Sequence, residues 1–292
     1  MPTQKSLMLR MCIDELESYH IYRVLAKMPF VGENMRSVLI RASEDEYRHY
    51  VFWRRFAGDC RPRLLTLKLL VYTFLFYIYG LTVLTKFIES KEGFAVDSYR
   101  KIGEEHPDLR NELAKIIEDE ERHETEFANS IDEARVRYIG FITLGLSDAL
   151  IELTGIYTGS LGAFENTISA GLTGLLAGIS ASISMAVAAY SQAKQERRER
   201  PGSSALYTFI AYITASILLA LPYFLAPSIH TAFAAMMVVA IAIVAYMTFY
   251  VAVLQKTSYL REFTLNTVLI FGVSILLYIL GSALAKTLMP LH

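Results

Sequence analysis

The chain has 292 residues, 53% of them hydrophobic, a mean hydropathy of +0.35 and a formal net charge of −1. Nothing in that balance points to nucleic-acid binding. Only Cys12 and Cys60 occur, with no C-x-x-C, which argues against a structural disulfide and against a rubredoxin-type iron centre.

Charge is distributed unevenly. Residues 1–137 hold 21 of the 28 Lys+Arg and 23 of the 29 Asp+Glu. This places a domain boundary near residue 137, with a polar domain over 1–137 and an apolar one over 138–292. The polar N-terminus predicts no cleavable signal peptide, so 1–137 is expected in the cytosol.

The first predicted helix covers 5–28, with apolar residues recurring at Leu9, Ile13, Leu16, Ile21, Val24 and Leu25, and is stopped by Pro29. Gly32 breaks the chain, and a second helix covers 33–57, ended by Gly58 and Pro62. A third carries Glu92 and runs to about Gly103. His106-Pro107 breaks it, and Asp108 caps a fourth helix from 109 to about 136. Four helices with one long link form an all-α bundle with a crossover. Within the link, Leu64–Ile88 is apolar enough to be scored as a membrane span, with only Lys68 and Lys86 charged. If it crossed a bilayer, the two halves of the bundle would lie on opposite sides. It is therefore expected to be the crossover and the start of the third helix, its apolar face buried in a dimer interface or against the membrane surface.

Five apolar stretches follow, at about 138–160, 166–190, 205–226, 230–254 and 264–288, each long enough to span as a helix. Arg135 and Arg137 precede the first. Lys194, Arg197, Arg198 and Arg200 separate the second from the third, and Lys256 and Arg261 the fourth from the fifth. The opposite loops, Ser160–Glu165 and Pro227–His230, carry no Lys or Arg. The positive-inside rule then puts the N-terminus in the cytosol and the C-terminus outside.

The chemistry lies in a doubled pattern. Glu46-Tyr47-Arg48-His49 and Glu120-Glu121-Arg122-His123 are both E-x-x-H, a spacing that puts carboxylate and imidazole on one helix face. Each follows a glutamate that has a tyrosine seven residues on: Glu15 with Tyr22, and Glu92 with Tyr99. Carboxylate and imidazole together suit iron or manganese. The expected metal ligands are Glu15, Glu46, His49, Glu92, Glu120 and His123. Glu17 and Glu89 are the register alternatives to Glu15 and Glu92. In the apolar half, Asp148 and Glu152 share one face at mid-span, where isolated carboxylates are expensive and point to a pathway. Met185 offers a thioether, which suits a softer metal such as Fe2+.

Two resemblances rest on these residues. The bundle over 5–135, with one Glu from each of two helices and E-x-x-H from each of the others, resembles the ferritin-like, rubrerythrin-type superfamily. This implies a di-iron centre, with manganese as the alternative ion, and Tyr22 matches the tyrosine that lies near the metals in ferritins. The apolar half resembles the vacuolar iron transporter family through Gly145-Leu146-Ser147-Asp148-Ala149-Leu150, through Ile183-Ser184-Met185 with Tyr190, and through Leu221-Pro222-Tyr223. The glycine expected after the aspartate is Ala149 here. The second-span acid expected eight residues before Met185 is replaced by Ala177, and Glu152 is the substitute carboxylate. The family implies a homodimer that exports Fe2+ or Mn2+ from the cytosol in exchange for protons, along a path lined by Asp148, Glu152 and Met185. Together the halves resemble membrane-bound ferritins, with the plasma membrane of a prokaryote as the expected location. The competing expectation is a membrane-anchored di-iron oxidase or peroxidase of the rubrerythrin type.

Overall fold

The computed structural model describes residues 4–130, 134–161, 166–198 and 200–288, and among them the chain is helical, without strands. It divides into two compact units, 1–133 and 134–292.

In the first unit α1 (Gln4–Leu25) and α2 (Glu33–Ala57) form a hairpin, and α4 (Leu81–Glu105) and α5 (Arg110–Ser130) form another. α1 stops three residues short of the expected 28. Pro29 disfavours helical backbone at Met28, and the chain leaves through a turn in which Lys27 and Met28 bond the carbonyls of Val24 and Leu25. α2 ends at Gly58, whose φ of 79° is cheap only for glycine. The sequence predicts a last bundle helix that reaches about 136. α5 ends at Ser130, residues 131–133 lie outside the described set, and a short α6 (Ala134–Arg137) follows in the second unit.

The apolar stretch Leu64–Ile88 is split. α3 (Leu65–Tyr79) has 15 residues and is separated from α4 by Gly80, at φ 83° and ψ 172°. Fifteen residues rise about 22 Å, short of a hydrocarbon core of about 30 Å. α3 packs on α1 and α4, and turns Leu70, Phe74 and Tyr77 outward.

The bundle core is layered. One apolar cluster holds Tyr22, Leu25, Leu39, Ala42, Leu84 and Phe127. Another holds Met11, Cys12, Trp53, Tyr99, Leu113 and Ile116. Along α1, α2 and α5 alike, the residues between these clusters are ionisable and buried: Glu15, Glu46, His49, Glu120 and His123.

The second unit holds five helices long and apolar enough to cross a membrane, within α7 (Ile139–Ser160), α8 (Thr167–Gln195), α9 (Pro201–Leu225), α10 (Ile229–Gln255) and α11 (Tyr259–Leu288). α9 is central and packs against α7, α8 and α10. Glycines admit close approach: a Cβ on Gly178 of α8 would lie 2.5 Å from Ser216 Oγ of α9, and one on Gly145 of α7 would lie 2.8 Å from the Thr208 carbonyl.

Gly80 has a backbone conformation nearly closed to other residues. Gly80→Ala should lower the stability of the first unit by about 1–3 kcal/mol, read as an earlier thermal transition by far-UV circular dichroism. An unchanged transition would show that the α3–α4 break does not need this geometry.

Candidate metal centre

One ligand atom from each of Glu15, Glu46, His49 and Glu120 lies within 4.8 Å of the others, and all four residues are buried. α1 supplies Glu15. α2 supplies Glu46 and His49 from adjacent turns of one face, and α5 supplies Glu120. His49 Nδ1 lies 3.4 Å from Glu15 Oε2 and 3.4 Å from Glu120 Oε1. His123 Nδ1 lies 3.5 Å from Glu46 Oε1 and 3.7 Å from Glu120 Oε2. Glu120 therefore stands between the two imidazoles, one oxygen toward each.

The far nitrogens face the residues that precede each E-x-x-H. His49 Nε2 lies 3.2 Å from Asp119 Oδ2, and His123 Nε2 lies 2.9 Å from Asp45 Oδ2. Each hairpin thus orients the other's histidine. Asp45 and Asp119 are tied in turn by arginines: Arg48 contacts both, at 2.5 Å and 3.4 Å, and Arg122 contacts them at 2.5 Å and 2.6 Å. Carboxylates behind ligand histidines fix the tautomer and ring orientation at metal sites. With Nε2–H donating to Asp119, a neutral His49 aims the lone pair of Nδ1 at two carboxylates.

That arrangement is unfavourable without a cation. His49 Nδ1 and Glu120 Oε2 are buried and make no hydrogen bond. Burial opposes protonation of His49, yet Glu15, Asp119 and Glu120 outweigh it, and its pKa stands well above the ordinary imidazole value. The hydrogen bond with His49, aided by Arg122, holds Asp119 well below the usual carboxylate range. Burial first, and Glu15 second, push the Tyr99 phenol well up, so it stays a neutral donor, and it donates to Glu15 Oε1. Nitrogen and oxygen ligands converging from three helices fit a divalent first-row metal. Glu15, Glu46, His49, Glu120 and His123 would hold it.

A cavity of about 760 Å3 opens onto Glu15, Glu46 and Glu120 from the side of α3, with Leu67, Val71 and Phe87 among its walls.

The side chain of Glu92 lies outside the described residues. Tyr22 is fully buried and packs against Phe127, ring centroids 5.4 Å apart. Glu15 takes its hydroxyl partner from Tyr99, the tyrosine of the second repeat. Glu17 lies buried in an ion pair with Lys68 of α3 at 2.5 Å, and Glu89 is half-buried. One expectation is corrected outright. The sequence argued against a disulfide, but the fold brings the sulfurs of Cys12 and Cys60 into bonding contact, with Cα atoms 6.1 Å apart. The hairpin returns the chain after α2 to the start of α1, which residue spacing does not reveal.

In the second unit Asp148 is half-buried on α7, and Glu152, one turn on, is exposed and accepts a hydrogen bond from Tyr212 of α9 at 2.5 Å. Ser147 lies 3.5 Å from Met247 Sδ of α10. Met185 is half-buried against the apolar core. Tyr212 and Met247 carry no spacing signal. Asp45 and Asp119 do, since each precedes the glutamate of its motif.

No family model, curated protein or solved structure matches the chain. What the fold and the site define is a multi-pass helical membrane protein with a buried carboxylate–histidine cluster of metal-binding type.

His49→Ala and Glu120→Ala should remove tight Mn2+ or Fe2+ binding measured by calorimetry on the full chain in detergent. Asp119→Asn and Asp45→Asn, which loosen the histidines without removing a ligand, should weaken it about 10–100-fold. Glu17→Gln should leave it unchanged. Equal losses in all five variants would mean that the bundle is merely destabilised.

Proposed function

We propose that the chain exports a divalent metal, Fe2+ or Mn2+, in exchange for protons, and that the bundle captures or senses that metal on the cytosolic side. On this reading it joins a ferritin-like domain to a membrane domain of the vacuolar iron transporter type and works as a homodimer in a prokaryotic plasma membrane. The observation that carries it is the acid pair Asp148 and Glu152 inside α7, a helix of spanning length and composition. A charged side chain at mid-bilayer costs about 2.5–3.5 kcal/mol, so such residues serve a path or a partner surface. A membrane anchor has no use for two of them. Glu152 is exposed on the single chain, and a second copy supplies the cover it lacks.

The exchange follows from carboxylate chemistry. Asp148 and Glu152 bind a divalent ion as anions, with Tyr212 fixing one Glu152 oxygen. When the ion leaves, protons neutralise the same oxygens, which are costly to leave charged in an apolar surround. Metal movement in one direction is thereby tied to proton movement in the other. Met185 and Met247 add soft ligands that favour Fe2+ over Mg2+ or Ca2+.

In proteoliposomes carrying a pH gradient, Asp148→Ala should abolish Fe2+ or Mn2+ transport, and Tyr212→Phe should reduce it while leaving the protein folded. Transport at the original rate in Asp148→Ala sinks the assignment.

The cavity over Glu15, Glu46 and Glu120 favours a second reading, a membrane-anchored di-iron oxidase or peroxidase, because a 760 Å3 opening admits more than an ion. Metal-dependent peroxide consumption by a protein that moves no metal would select it.

A further inference from the structure

Cys12, Cys60, Trp53 and Tyr99 share one buried cluster, and of these Cys12, Cys60 and Trp53 have no part in metal ligation or transport. Cys12 lies one turn before Glu15 on α1, and Cys60 follows α2, flanked by exposed Asp59 and Arg61. Their sulfurs are in bonding contact. Trp53, the only tryptophan of the chain, lies in the same buried cluster. Its indole stacks on the Tyr99 ring with centroids 5.3 Å apart and planes 29° apart. The Tyr99 hydroxyl donates to Glu15, which belongs to the metal-binding cluster. Cys12, Cys60, Trp53 and Tyr99 are all almost wholly buried, so the series runs through protein and not through water. Trp53 Nε1 is buried with no hydrogen-bond partner, so the indole is not there for its N–H group. What it offers is an oxidisable ring in contact with a second oxidisable ring.

We infer that Cys12 and Cys60 are an internal electron store for the metal centre, connected to it through Trp53 and Tyr99, and that their dithiol form returns ferric iron there to ferrous iron. This rests on iron as the bound metal in the proposed function. The step balances as two Fe3+ plus two cysteine thiols giving two Fe2+, one Cys12–Cys60 disulfide and two protons. Both S–H bonds break, the S–S bond forms, each iron gains one electron, and the protons leave to water. A low-molecular-weight thiol restores the dithiol by exchange, slowly, because both sulfurs are buried. The direction follows from the couples, since dithiols release electrons at low potential. A carrier selective for a divalent ion gains from it, because iron oxidised at the bundle is brought back to the transportable state.

The test uses the full chain in detergent, reduced, freed of reductant and held without oxygen. Fe2+ is added first and the retained iron measured. One equivalent of hydrogen peroxide per pair of irons follows, and thiols are then counted over time by quenching in denaturant, alkylation and intact-mass spectrometry, with Trp53 fluorescence recorded in parallel. In the iron-loaded protein both thiols should disappear while chelatable Fe2+ returns. The zinc-loaded protein should keep its thiols through the same pulse. Trp53→Phe should retain iron but lose its thiols more slowly by at least an order of magnitude. Trp53→Tyr, which keeps an oxidisable ring, should recover most of the rate. Thiols that persist in iron-loaded protein, or that vanish equally with zinc, overturn the inference alone. Equal rates in wild type and Trp53→Phe overturn the route through Trp53. Failure to retain iron at the first step overturns both this inference and iron as the bound metal.

Discussion

The bundle is organised around a layer of ionisable side chains that it has buried between two apolar ones. Glu15, Glu46, His49, Glu120 and His123 are buried between two apolar clusters, one with Tyr22, Leu39 and Phe127 and the other with Trp53, Tyr99 and Leu113. Carboxylates removed from water cost several kcal/mol each unless a cation or hydrogen-bond donors replace the lost hydration. Tyr99 serves Glu15, and the imidazole Nδ1 atoms lie 3.4–3.7 Å from oxygens of Glu15, Glu46 and Glu120. The histidines cannot turn to improve this, because Asp119 and Asp45 hold their far nitrogens. The layer is thus one that could hold a metal ion. The crossing of the outer aspartates, each hairpin steering the other's histidine, makes the site a property of the paired hairpins and not of either one.

Much of this was legible in residue spacing, because helices convert spacing into direction. Two E-x-x-H motifs and the earlier Glu15 are enough to name the buried cluster. The reading of Leu64–Ile88 as crossover and start of the third helix rests on a conflict visible in the sequence, since a span there would separate the two halves of one site, but the break at Gly80 was no part of it. Three things were hidden for physical reasons. Tyr99 serves Glu15 and not the glutamate seven residues before it, because helix pairing, not sequence order, decides which hydroxyl meets which carboxylate. Cys12 and Cys60 are 48 residues apart and meet only when the hairpin closes. Tyr212 and Met247 are single residues on apolar helices, where nothing in the periodicity separates a polar contact from ordinary packing. Asp45 and Asp119 were within reach, as both motifs read Asp-Glu-x-x-His.

The membrane-type unit solves a similar problem with fewer charges. Asp148 and Glu152 are the acids of α7, and the hydroxyl of Tyr212 is the donor seen on Glu152. Elsewhere, serine and threonine hydroxyls satisfy themselves on carbonyls of the preceding turn, as Thr154, Thr158, Thr208 and Ser216 do, so polar atoms are carried through apolar helices at little cost. Small residues between α8 and α9 let backbones approach, which replaces the hydrophobic drive that is missing between helices in lipid. Against that background the acids of α7 stand out as the residues whose cost a packing role does not explain.

The most direct measurement is anomalous diffraction at the iron edge from crystals of the full chain grown with Fe2+. The account predicts peaks bounded by Glu15, Glu46, His49, Glu120 and His123, with both imidazoles coordinated through Nδ1 and still held by Asp119 and Asp45 through Nε2. Peaks confined to exposed acids, with the buried layer empty and its histidines rotated away from Glu120, would contradict it.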